Sequence, residues 1–110
     1  MKLQNIIKDC SLKVVCLPGK DMQVSRAYTS DLLSDVMGHC PEDSILITIQ
    51  NHRNTVAVST LVGARAIVIA HNRDVPDDMK KLAAGEGVAL LRSDDDQFTL
   101  SCRIGKLLYG

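Results

Sequence analysis

Aromatic residues are nearly missing from this chain. There is no tryptophan, and Tyr28, Phe98 and Tyr109 are the whole aromatic set. A core must therefore be assembled from Val, Ile, Leu, Ala and Met. A surplus of either charge is missing too, because 13 Lys and Arg balance 13 Asp and Glu. Binding through nucleic-acid phosphates draws on released counterions and calls for a basic surplus, so this balance points away from nucleic acid. Balanced charge also leaves little repulsion between copies, which permits self-association. Long apolar runs are missing as well: none exceeds about five residues, where a bilayer-crossing helix needs about 20. The start, Met1 to Cys10, sets Leu3, Ile6, Ile7 and Cys10 at helical spacing rather than in one run. That pattern is neither a membrane span nor a secretory signal, and the expectation is a cytoplasmic protein.

Several chemistries lack their residues. Four cysteines occur, Cys10, Cys16, Cys40 and Cys102, and without a secretory signal they read as free thiols. No CxxC or HxxxH spacing offers a metal site, and the acidic run Asp94-Asp95-Asp96 reads as a solvated helix start. No GxxxxGK[ST] or GxGxxG loop cradles a phosphate, and no GxSxG carries a nucleophile. Pro18-Gly19-Lys20-Asp21 is a turn. No catalytic residue, resident cofactor or metal is expected.

What is present is an alternation of strands and helices. Ile45–Ile49, Ala66–Ala70 and Val88–Leu91 are continuous aliphatic runs, as expected of strands covered on both faces. Their centres, near 47, 68 and 89, step evenly, which suits a strand, a crossover helix and two short loops. Asn54 to Val62, capped by Asn54 and stopped by Gly63, is the first crossover helix. Pro76 to Ala84, stopped by Gly85, is the second, and Asp94 to Leu108 follows the third strand. Upstream, Leu12 to Cys16 is an apolar run ending at Pro18-Gly19, and Met22 to Arg26 returns as a second strand in an N-terminal β-hairpin. Ser30 caps a helix over Asp31 to Met37. The expected fold is α/β: a single domain over 1–110 with a mainly parallel central sheet and helices packed on its faces.

In such a sheet the loops that follow the strands emerge at one edge, where ligands favour the point at which strand order reverses. The loops here carry Asn51, His52 and Arg53, then His71, Asn72 and Arg73, then Arg92 and Ser93. Two imidazoles and three guanidinium groups beside helix N-termini suit a small anion such as a phosphate ester or nucleotide. The same residues also serve as caps and solvated loop positions. His52 or His71 acting as a base beside Ser93 would need contacts that spacing alone does not supply. The helix 54–62 and the segment 95–108 are apolar around much of their circumference, more than one sheet face covers. Either neighbouring helices cover the excess, or it is an interface, for which a homodimer or an enzyme subunit is the expected partner.

Three stretches, Tyr28–His39, Ile47–His52 and Thr55–Val58, give the chain from about Val14 to Leu108 a resemblance to the DRTGG family of small α/β domains. It resembles most the stand-alone members related to the N-terminal domain of HPr kinase/phosphorylase. The two motifs that name the family are altered. Asn51-His52-Arg53 stands where many members have Gly-Asp-Arg, and Ala70-His71-Asn72 where they have Thr-Gly-Gly. The resemblance implies a regulatory or dimer-forming module without catalysis of its own, since the kinase chemistry of the larger protein resides in a separate P-loop domain. The lost glycines bear on how closely a ligand can approach that backbone.

Overall fold

The computed structural model describes residues 1–110. Helix α1 (Leu3–Asp9) leads into β1 (Lys13–Cys16) and β2 (Arg26–Thr29). There follow α2 (Leu33–His39), β3 (Ser44–Thr48), α3 (Arg53–Val62), β4 (Ala66–Ile69), α4 (Asp77–Glu86), β5 (Ala89–Arg92) and α5 (Gln97–Tyr109). The five strands form one sheet in the order β1-β5-β4-β3-β2. β2 to β5 are parallel neighbours, and β1 runs antiparallel beside β5. The chain is thus an α/β fold with a mainly parallel central sheet.

The continuous aliphatic runs are buried on both faces, every residue of β3 and β4 included. Strand pleating divides them between two cores. Ile45, Ile47, Ala66, Val68, Ala89 and Leu91 pack with Leu3 and Ile6 of α1 and Leu100 and Ile104 of α5. Leu46, Ile67, Ile69 and Leu90 pack with Val36 of α2, Val56 and Val58 of α3, and Met79 and Ala83 of α4. Burying each large aliphatic side chain stabilises by about 1.5–3 kcal/mol, so both layers are needed.

The layer assignment follows from handedness. Each of β2, β3 and β4 is followed by a crossover to its immediate neighbour, and right-handed crossovers made in one direction put α2, α3 and α4 on one face. The opposite face is left to α1 and α5. The strand order never reverses within the parallel set, so the crevice of a switch-point fold does not arise.

The expected hairpin is not formed. β1 and β2 lie at opposite edges of the sheet, one against β5 and the other against β3. The residues after Pro18-Gly19 carry the chain across the end of the sheet, and Gln23 makes only an isolated antiparallel bridge to Lys2. The strand itself begins at Arg26, where Ala27 and Tyr28 align with Ile45 and Leu46. Four helix ends also differ. Helix α2 runs from Leu33 to His39, and Leu32 rather than Ser30 stands at its N-cap. His52, not Asn54, caps α3, its Nδ1 accepting from the Asn54 amide at 3.2 Å. Helix α4 runs through Gly85 and ends at Gly87, whose φ of 71° is the left-handed closure that glycine adopts freely. The last helix starts later than expected: Asp96 caps it, its Oδ1 accepting from Thr99 N at 2.8 Å.

Candidate functional site

The loops after β2, β3, β4 and β5 gather at the C-terminal edge of the parallel strands. Residues 93–96 leave β5 and cross over the end of β4: His71 N donates to Asp95 O and Asn72 N to Ser93 O, each at 2.8 Å. Helix α5 then descends over β2 and β3, with Ser101 Oγ 2.7 Å from Thr29 Oγ1 and Tyr109 Oη accepting from Ala27 N at 3.1 Å.

The seven residues singled out in sequence divide into two groups. Three are engaged in holding loops. Asn51 Nδ2 donates to Asp74 O at 2.8 Å. Asn72 Oδ1 accepts from Arg92 Nη2 at 3.2 Å. Ser93 is buried, and its Oγ accepts from Asp95 N at 3.0 Å. The other four, His52, Arg53, His71 and Arg73, are exposed. The five ion pairs of the chain use other cations, so the Arg53 and Arg73 guanidinium groups carry uncompensated charge at this edge. His71, Arg73 and Ile49 line a shallow depression of about 310 Å³.

Arg92 plays a different part from the other two arginines of these loops. Its Nε donates to Arg73 O at 2.9 Å and its Nη2 to Asn72 O at 3.2 Å, which fixes the backbone of the loop that presents Arg73. That loop is unusual, for His71 and Asn72 have φ of 65° and 54°. The left-handed backbone is therefore held by side chains that tolerate it less well than glycine, Asn better than His.

Sequence reasoning missed the organiser of the edge. Asp31 Oδ1 accepts from Thr48 Oγ1, Ile49 N and Gln97 Nε2, each at 2.9 Å. One carboxylate oxygen thus ties the β2–α2 loop to the end of β3 and to the first turn of α5. Its three donors lie as far apart as Thr48 and Gln97, so no local spacing announces them. A second clamp closes the other side: Arg103 Nη1 donates to Asp95 Oδ2 at 2.6 Å and Nη2 to Asp9 O at 3.0 Å. The hydrogen bond to Asp95 holds the guanidinium pKa above its ordinary value.

The largest depression of the chain, about 610 Å³, lies at the opposite end of the strands. Asp21 and Asp43 line it, and its one arginine, Arg65, is already paired with Asp43 at 2.8 Å. The thiols of Cys10 and Cys40 are buried, and desolvation pushes both pKa values up, which keeps them protonated and unreactive. No helix of the chain is long and apolar enough to cross a membrane.

No family model matches the chain, and no curated protein matches it in sequence. Among solved structures, its fold is similar to that of the CBS and DRTGG domains of the regulatory region of Clostridium perfringens pyrophosphatase, in complex with the activator diadenosine tetraphosphate. The likeness has a TM-score of 0.73 at 16% identity, over 94% of this chain and 45% of that one. It is a likeness of fold, and the present chain spans less than half of its neighbour's length.

Proposed function

We propose that this chain is a regulatory module that senses a small anion, a nucleotide or other phosphate ester, at the C-terminal edge of its sheet. Arg53 and Arg73 supply the charge, and His52 and His71 supply ring hydrogen bonds beside them. The observation that carries the reading is the pair of exposed arginines outside the chain's ion pairs, Arg53 opening α3 after the strand end that Asp31 holds, and Arg73 on the loop that Arg92 and Asn51 hold. Two guanidinium groups matched to phosphate oxygens outperform two lysines because each offers a fixed fork of donors. The structural neighbour adds support, being a regulatory region solved with a nucleotide activator. A catalytic role finds less support. Ser93 is buried with its hydroxyl turned to Asp95 N, and His52 spends Nδ1 on its helix cap.

Calorimetric titration of the purified chain with diadenosine tetraphosphate, ATP, AMP and inorganic triphosphate tests this. The expected result is saturable binding to at least one probe that weakens with added salt and disappears in the Arg53→Ala/Arg73→Ala double variant. Binding that survives the double variant, or no heat with any probe, overturns the reading. A second reading, a protein-interaction module, draws on a different observation, the exposed apolar residues of α5.

A further inference from the structure

We propose that Asp95 and Arg103 are positioning residues for the anion edge: their ion pair fixes the loop that presents His71 and Arg73, so that anion binding and the seating of α5 favour each other. The inference rests on the anion reading above and names the regulation of that same site.

The two halves of the edge are held in different ways. The turn that presents Arg53 is held from within, since Asn54 N donates to His52 Nδ1, Thr55 N to His52 O and Thr55 Oγ1 to Gln50 O. The turn that presents Arg73 is held from outside. His71 and Asn72 both occupy the left-handed region, and two such residues in a row persist only where their surroundings fix them. Arg92 grips the carbonyl side through Asn72 O and Arg73 O. The amide side depends on residues 93–96, where Asp95 O accepts from His71 N and Ser93 O from Asn72 N, each at 2.8 Å.

Those two carbonyls are only as fixed as the crossing segment that carries them. Ser93 is buried and anchors one of them. Asp95 is anchored through its side chain, to which Arg103 Nη1 donates at 2.6 Å in a partly buried pair, whereas the neighbouring Lys13–Asp94 pair is exposed. Exposed pairs are weakened by solvent and salt, and sheltered pairs much less. Arg103 lies midway along α5 beside the core residue Ile104, and its Nη2 also donates to Asp9 O at the end of α1. One guanidinium thus joins the seating of both helices to the backbone of His71.

When α5 lifts, Asp95 loses Arg103, and the amides of His71 and Asn72 lose fixed acceptors. Arg73 then stands on a loop held by Arg92 alone, and a ligand must order that loop at a cost in affinity. By reciprocity, a ligand that prefers the ordered loop favours the seated helix by the same factor. The charge of Asp95 acts the other way, since a carboxylate near the edge repels an anion. Position and charge therefore predict opposite effects of removing it.

Calorimetric titration of Asp95→Ala with the same four probes separates them. Loss of a negative charge alone would tighten anion binding, and loss of the brace should weaken it about tenfold. The loss should be less than additive with Arg73→Ala and additive with Arg53→Ala. Arg103→Ala should also weaken binding. Amide exchange without ligand, read residue by residue by NMR, gives an independent measure. Exchange at His71 and Asn72 should quicken in both variants, with Asn54 and Thr55 unchanged, and a bound probe should slow exchange along α5 in the wild-type chain. Failure of every probe to bind the wild-type chain overturns the anion reading, and the coupling with it. Wild-type binding that Asp95→Ala leaves unchanged or tightens, or exchange at His71 and Asn72 indifferent to both variants, overturns the coupling and leaves the anion reading standing.

Discussion

The phenol of Tyr28 donates a 2.6 Å hydrogen bond to Asp35 Oδ2, joining β2 to the first turns of α2. Each group shifts the other. The bond to Asp35 pushes Tyr28 up to about 12 from 10.0, and the bond from Tyr28 holds Asp35 below the usual carboxylate range. A raised folded-state pKa on tyrosine gives stability that is complete below pH 10.0 and lost as pH climbs towards about 12. A lowered pKa on Asp35 gives stability that is present above the ordinary carboxylate range and lost as pH falls through the folded-state value. Thermal unfolding across pH should therefore show a plateau bounded on both sides. In Tyr28→Phe the alkaline decline from this source should vanish and the acid decline should shrink. An identical pH profile in that variant would show that the bond contributes nothing.

Asp31 has a larger structural role than any cation near it. Its Oδ1 satisfies Ile49 N, Thr48 Oγ1 and Gln97 Nε2 together. Asp31→Ala leaves these donors without their acceptor at a partly buried point, and a loss of about 2–3 kcal/mol is expected in chemical denaturation. Asp31→Asn keeps one acceptor oxygen and should lose less. Equal losses for the two would point to the charge rather than the hydrogen-bond count.

Two glycines two residues apart should respond with opposite signs. Gly85 lies inside α4 with open space where a Cβ would go, so Gly85→Ala should stabilise by about 1 kcal/mol. Gly87 closes the helix at φ 71°, so Gly87→Ala should destabilise by about 1 kcal/mol. Shifts of the same sign in Tm would contradict a helix end at Gly87.

His71 holds a left-handed backbone with an unfavourable side chain. His71→Gly should raise stability by about 0.5–1 kcal/mol while leaving Arg73 in place, because Arg92 grips the loop through Asn72 O and Arg73 O. If this imidazole contributes to anion binding, the same variant weakens the ligand while strengthening the fold. Measuring both quantities on one sample separates the two roles.

The central part of the fold was legible because two-sided burial leaves a strong mark. Ile45–Ile49 and Ala66–Ala70 could hardly be anything but covered strands, and the even step between them required short crossover helices. The edges were not legible. β1 pairs with β5 across most of the chain, Lys13 facing Arg92, and no turn signal near Pro18 announces a partner so distant. The site was legible in residue type and not in role. Asn51, Asn72 and Ser93 are the polar loop residues that a ligand would use, and they are equally the ones that close loops. Only the arginines without partners stand out once the ion pairs are placed. Asp31 escaped notice because its donors come together only in three dimensions.

The strand order has a consequence for how the chain assembles. Every pairing from β2 to β5 joins consecutive strands, so residues 26–92 can grow by adding one unit at a time to a neighbour already formed. The second face is closed by the two extremities of the sequence, α1 and α5, which meet where Arg103 reaches Asp9 O across 94 residues. In that order of growth, those extremities are expected to fasten last, as a clasp. Unfastening it bares Ile45, Val68 and Leu91 while the helices of the first face stay seated, and amide exchange should find that partial opening well before the whole chain unfolds.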